Sequence, residues 1–108
     1  MSLNREESGA PANRMRPVHP GEILADELEE IGLSIRAFAA ALDVDPTRIS
    51  EIVKGKRHVT ADTALRLARY FGTSAKFWLN LQTSYDLKVA EAANGEKISL
   101  NIKPREAA

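Results

Sequence analysis

Thr47, Arg48, Ser50 and Glu51 place two hydroxyls, a guanidinium and a carboxylate within one short span, directly after Pro46. Together they match what base-pair edges offer in the DNA major groove. The hydroxyls donate or accept, and the Thr47 methyl or Pro46 ring meets a thymine methyl. Glu51 accepts from cytosine, and Arg48 reaches either a guanine or a phosphate. Cations suited to phosphates flank the group, with Arg36 before it and Lys54, Lys56 and Arg57 after it. Rival chemistries lack their residues. The absence of cysteine removes disulfides, thiolate zinc sites and cysteine nucleophiles together. Two histidines, His19 and His58, stand far apart without a partnering carboxylate or a glycine-rich phosphate loop. His19 reads as part of a helix start and His58 as a solvated loop residue. No catalytic residue, metal site, cofactor or small-molecule substrate is expected.

Positioning these groups takes helices. Leu24, Leu28 and Ile31 recur at helical spacing behind His19-Pro20-Gly21 and stop at Gly32. Ser34 caps a second helix whose apolar positions are Ile35, Phe38, Ala39 and Leu42. Asp45 caps a third, with Pro46 in its first turn and Ile49, Ile52 and Val53 facing inward. Thr60 opens a fourth that buries Ala64, Leu67, Ala68 and Phe71 and closes at Gly72. Ser74 caps a fifth, running through Phe77, Trp78, Leu81, Tyr85 and Val89 to about Ala93, where Asn94-Gly95 stops it. Phe77 and Trp78 read as core. Ile98-Ser99-Leu100-Asn101-Ile102 alternates strictly and predicts a short strand.

The second and third helices are short and joined by a few residues, which is the pattern of a helix-turn-helix unit. Such a unit needs a small residue where its helices cross, and Ala39 supplies it. Wedging apolar residues then fall at fixed offsets: Phe38 just before it, and Leu42, Val44, Ile49 and Ile52 after it. Every one of these slots is filled.

Phe38-Ala39, Leu42-Asp43-Val44, Ile49-Ser50-Glu51-Ile52 and Gly55-Lys56-Arg57 resemble the helix-turn-helix of the lambda-repressor-like (XRE) family. One departure is Asp43, in a turn slot usually held by glycine; Asp tolerates left-handed backbone better than most residues. A narrower resemblance covers residues 16–90. His19-Pro20-Gly21-Glu22-Ile23-Leu24, Thr60-Ala61-Asp62-Thr63-Ala64-Leu65-Arg66-Leu67 and Phe77-Trp78-Leu79-Asn80-Leu81-Gln82 are similar to the HigA antitoxins, the addiction-module antidote proteins. The resemblance implies an all-α, five-helix lambda-repressor-like DNA-binding domain, here with a short C-terminal strand. It also implies operator binding that represses its own operon, and a HigB-type toxin partner, a RelE-like mRNA-cleaving nuclease. A stand-alone XRE-type regulator without a toxin would carry the same DNA-facing residues. In this docking geometry the second helix of the unit enters the major groove and the first crosses the backbone.

The 108 residues suit a single domain: a flexible arm at 1–18, the helical domain at 19–94, and a strand and tail at 95–108. Formal net charge is zero, but residues 1–33 carry three bases and seven acids, and residues 34–76 eight bases and four acids. A basic middle suits DNA, and the acidic front, including Glu22, Asp26, Glu27, Glu29 and Glu30, suits a basic partner protein. No signal peptide or membrane span is legible, so a cytoplasmic protein is expected. One reading unit buries too little surface for a specific site, so a homodimer on half-sites about 34 Å apart is expected. Its contact would come from the fifth helix and from the strand, paired with its symmetry mate or with the Met15–Val18 arm.

Overall fold

The computed structural model describes residues 16–106. Most of the expected N-terminal arm therefore lies outside the described residues. Five helices follow one another: α1 (Pro20–Ile31), α2 (Ile35–Leu42), α3 (Pro46–Val53), α4 (Ala61–Phe71) and α5 (Ala75–Asn101). The residues divide into two compact units, one of Val18–Tyr85 and a second that holds the chain from Asp86 onward.

In the first unit the caps fall where the sequence places them. Ser34 Oγ accepts from Ala37 N–H at 3.1 Å, Asp45 Oδ1 from Thr47 N–H at 2.7 Å and Ser74 Oγ from Phe77 N–H at 3.0 Å. Each satisfies a donor the helix itself leaves open. His19 is a less common cap: its buried Nδ1 accepts from Gly21 N–H at 2.9 Å, while Glu22 reaches back to the His19 N–H at 3.3 Å. The imidazole therefore keeps Nδ1 free of a proton.

The core gathers Leu24, Leu28, Phe38, Ala39, Leu42, Ile49, Ile52, Val59, Ala64, Leu67 and Trp78. Burial of each large side chain contributes about 1.5–3 kcal/mol. Two polar contacts, the first buried and the second partly so, close the periphery. Gln82 Oε1 accepts from Val59 N–H at 2.8 Å, and Thr73 Oγ1 from the Trp78 indole N–H at 2.9 Å. Ile31 and Phe77, expected inside, are each 44% exposed.

At Gly21 the backbone of α1 comes directly against the backbone of α3. A Cβ added to Gly21 would stand 1.8 Å from the Ile52 carbonyl oxygen, so only glycine fits where the start of α1 sits on the end of α3.

The expected C-terminal strand is not formed. Residues 98–101 continue α5, and no described residue is in a strand. Neither Asn94 nor Gly95 stops the helix. A glycine inside a helix costs only about 1 kcal/mol relative to alanine, whereas a lone strand leaves backbone groups unpaired along both edges. The alternation of Ile98, Leu100 and Ile102 is real but forms no buried face among the described residues; these side chains are 51%, 73% and 63% exposed.

Candidate nucleic-acid interface

The reading unit is built on the α2–α3 crossing. Ala39 and Phe38 are fully buried there, and the Ala39 carbonyl accepts from Val44 N–H at 3.0 Å, closing the turn. The turn depends on Asp43, whose φ of 59° is the only positive value at a non-glycine among the described residues. Its own backbone N–H bonds back to the end of α2.

At about 3.6 residues per turn, Pro46, Thr47, Ser50, Glu51 and Lys54 fall on one arc of α3, opposite buried Ile49 and Ile52. Pro46, Thr47 and Lys54 are exposed, and Ser50 and Glu51 partly so. Arg36 at the start of α2, and Lys56 and Arg57 in the turn after α3, are exposed as well. No carboxylate among the described residues pairs with Arg36, Lys54 or Lys56, which leaves those three cations available to an anion.

Two site residues are already engaged. Glu51 Oε1 takes both Nε and Nη2 of Arg57, at 2.8 and 2.6 Å. Arg48 lies at the edge of the outer arc, 30% exposed, and turns toward α4 instead of the open face. Its Nη1 donates to Asp62 Oδ2 at 2.7 Å and reaches Thr63 Oγ1 at 3.4 Å.

Two residues that sequence reasoning left out complete this arrangement. Arg66 donates from Nε to the same Asp62 oxygen at 2.9 Å, and from Nη1 to the Leu42 and Asp43 carbonyls at 2.8 and 3.1 Å. One guanidinium thus satisfies the last carbonyls of α2, and Asp62 links it to α3. The hydrogen bonds from Arg66 first, then Arg48, hold the Asp62 carboxyl below its ordinary range, and Asp62 in turn raises Arg66. Asp45 is also lowered, chiefly by the Thr47 backbone N–H it caps. The i,i+4 spacing of Asp62 and Arg66 was a usable signal for their pairing; the reach of either to another helix was not.

Chemically, the face offers hydroxyls and a methyl along one helix, with unpaired ammonium groups at its end and a guanidinium on the crossing helix. It holds no metal-ligating cluster among the described residues, and no described helix is long and apolar enough to cross a membrane.

The Helix-turn-helix family profile matches residues 24–78. The chain is 57% identical to the virulence-associated protein I of Dichelobacter nodosus over 86% of this chain and 84% of that one. Among solved structures, an addiction-module antidote protein of the HigA family from Coxiella burnetii is 49% identical. Its TM-score is 0.82, and the match covers 84% of this chain and all of that one. The Pseudomonas aeruginosa antitoxin HigA, solved with the higBA promoter, is 51% identical with a TM-score of 0.81, over 84% of this chain and all of that one.

Proposed function

We propose a function from one premise: this chain belongs to the helix-turn-helix family, among its HigA-type antitoxins, and is a DNA-binding antitoxin and not an enzyme. It binds operator DNA as a homodimer, represses its own operon, and neutralises a RelE-like mRNA-cleaving toxin of the HigB type in the cytoplasm. The observation that carries the DNA half is the outer arc of α3, with Thr47 and Ser50 along it and unpaired Lys54 and Lys56 at its end.

On the duplex, Pro46, Thr47, Ser50 and Glu51 meet base edges, while Arg36, Lys54, Lys56 and Arg57 take phosphates. Arg57 also holds Glu51 still, which fixes the direction in which its carboxylate accepts. Arg48 is held back from the duplex by Asp62 and meets a phosphate only when that pairing is removed. The dimer contact is assigned to the second half of α5, where Leu87 and Ile98 are exposed along one stripe, with exposed Ile102 just past its end.

The test is a footprint of the full chain on the DNA upstream of its own reading frame, joined to co-production with the neighbouring gene product. A protected two-fold site and a stable protein complex are expected. No protection removes the DNA site as assigned. Protection without any protein complex leaves a stand-alone regulator.

A further inference from the structure

Outside the DNA-reading unit, α1 and the start of α5 flank a pocket of about 200 Å³. Ile23 and Glu27 of α1 line one side, and Phe71, Thr73, Phe77 and Trp78 the other. Its walls are aromatic. Phe77 stands edge-on to Trp78 at 5.3 Å between ring centroids, and Phe71 lies tilted against Trp78 at 5.7 Å. Trp78 spends its N–H on Thr73, so the indole offers the pocket its ring and no donor. Glu27 is the only ionisable group in the lining. Phe77, though packed on Trp78, keeps 44% of its surface in water at the mouth.

The charge on the α1 side of this pocket has one sign. α1 carries Glu22, Asp26, Glu27, Glu29 and Glu30 and no basic residue. Asp26, Glu27, Glu29 and Glu30 have no cationic partner among the described residues. Such a face repels nucleic acid and other acidic surfaces. Aromatic faces carry a negative quadrupole, and a carboxylate beside them adds a full charge. The occupant that satisfies walls and rim together is a cation on an apolar stem, as in arginine or lysine.

We propose that this pocket receives an arginine or lysine side chain of a basic partner protein, with the remaining carboxylates of α1 meeting charges beside it. This rests on the reading of the chain as an antitoxin, whose partner is the protein it neutralises. The pocket supplies position and the helix supplies attraction. Loss of either weakens the complex without touching the α3 face.

Trp78 is the sole tryptophan, so its indole N–H resonance in isotope-labelled full-length chain reports on the pocket alone. On titration with the unlabelled product of the adjacent gene, that resonance should shift. Glu27→Gln and Phe77→Ala should each weaken partner binding by about tenfold, as expected for loss of a desolvated cation contact. Phe77→Trp should restore it, and all three should footprint the operator as the parent does. Equal partner binding by parent, Glu27→Gln and Phe77→Ala overturns the pocket while the antitoxin reading stands. No binding by the parent chain removes both. Two other occupants give their own signals in the chain alone. A Trp78 shift caused by Arg5→Ala with Arg14→Ala would assign the pocket to the chain's own N-terminal residues. A shift that grows with protein concentration would assign it to a second copy. Either result overturns the proposal.

Discussion

Asp62 holds Arg48 across the gap between α4 and α3, with Oδ2 of the one 2.7 Å from Nη1 of the other. A carboxylate in that place occupies the guanidinium much as a phosphate oxygen would. The ion pair is solvent-exposed at Asp62, so it contributes little to stability, but it decides where Arg48 points before DNA arrives.

Asp62→Asn should therefore release Arg48 to the duplex. The log–log salt slope of operator binding should steepen by about 0.9, the value of one added phosphate contact. Arg48→Ala should change the slope little in the parent and abolish the gain in the Asp62→Asn background. An unchanged slope in Asp62→Asn would show that freed Arg48 does not reach the backbone. A second readout is acid stability. The Asp62 carboxyl is held below its ordinary value of 3.8. Its stabilisation is thus present above that value and lost as pH falls through the lower, folded-state one. Asp62→Asn should lose that portion of the acid limb, below about pH 4, and acid titration followed by circular dichroism measures it.

Thr47 and Lys54 separate two kinds of contact. Thr47→Ala should relax the preference for one operator base pair by about 1–3 kcal/mol while leaving the salt slope alone. Lys54→Ala should weaken all sequences alike and flatten the slope by about 1. Binding isotherms on a panel of single-base operator variants at several salt concentrations distinguish the two. Identical behaviour of both variants would contradict the division of roles.

The second half of α5 is expected to hold the dimer. Leu87→Asp with Ile98→Asp puts charge on one exposed apolar stripe and should convert dimer to monomer in sedimentation. The same pair of changes should reduce operator affinity by far more than twofold, because two half-sites are then no longer bound together. A variant that stays dimeric would move the contact elsewhere.

Gly21→Ala tests the α1–α3 seat. The added methyl has a carbonyl oxygen at 1.8 Å in its way, and backbone must shift to admit it. A loss of about 1–3 kcal/mol or more is expected from urea unfolding, in the range of overpacked cores. An unchanged midpoint would mean that the seat is looser than the geometry states.

The five helices were legible because their ends carry strong local chemistry. Ser34, Asp45, Thr60 and Ser74 mark starts, and Gly32 and Gly72 adopt the left-handed backbone that ends α1 and α4. The α2–α3 crossing was legible because the offsets from Ala39 are a packing constraint written into spacing. The length of α5 was not. Ile98, Leu100 and Ile102 stay exposed among the described residues, so no burial imposed a helical period on the sequence there and an accidental alternation stood unopposed. The direction of Arg48 was hidden for another reason. Its partner lies fourteen residues away on a different helix, and Arg66 bonds to backbone carbonyls, which carry no side-chain signature. Spacing alone puts Pro46, Thr47, Ser50 and Glu51 on one arc of α3, but the edge position of Arg48 needed a neighbour, α4, to show which way it turns.

The seat of Gly21 on Ile52 has a thermodynamic corollary. Where backbone rests on carbonyl, that contact itself has no rotamer to change. Where a tilt of α1 carries through this contact, it arrives at the last turn of α3, just before Lys54 and Lys56. Two ligands that grip these helices are then linked, and linkage is symmetrical: the factor by which a protein on α1 alters operator affinity equals the factor by which the operator alters affinity for that protein. Measuring either order of addition fixes the other.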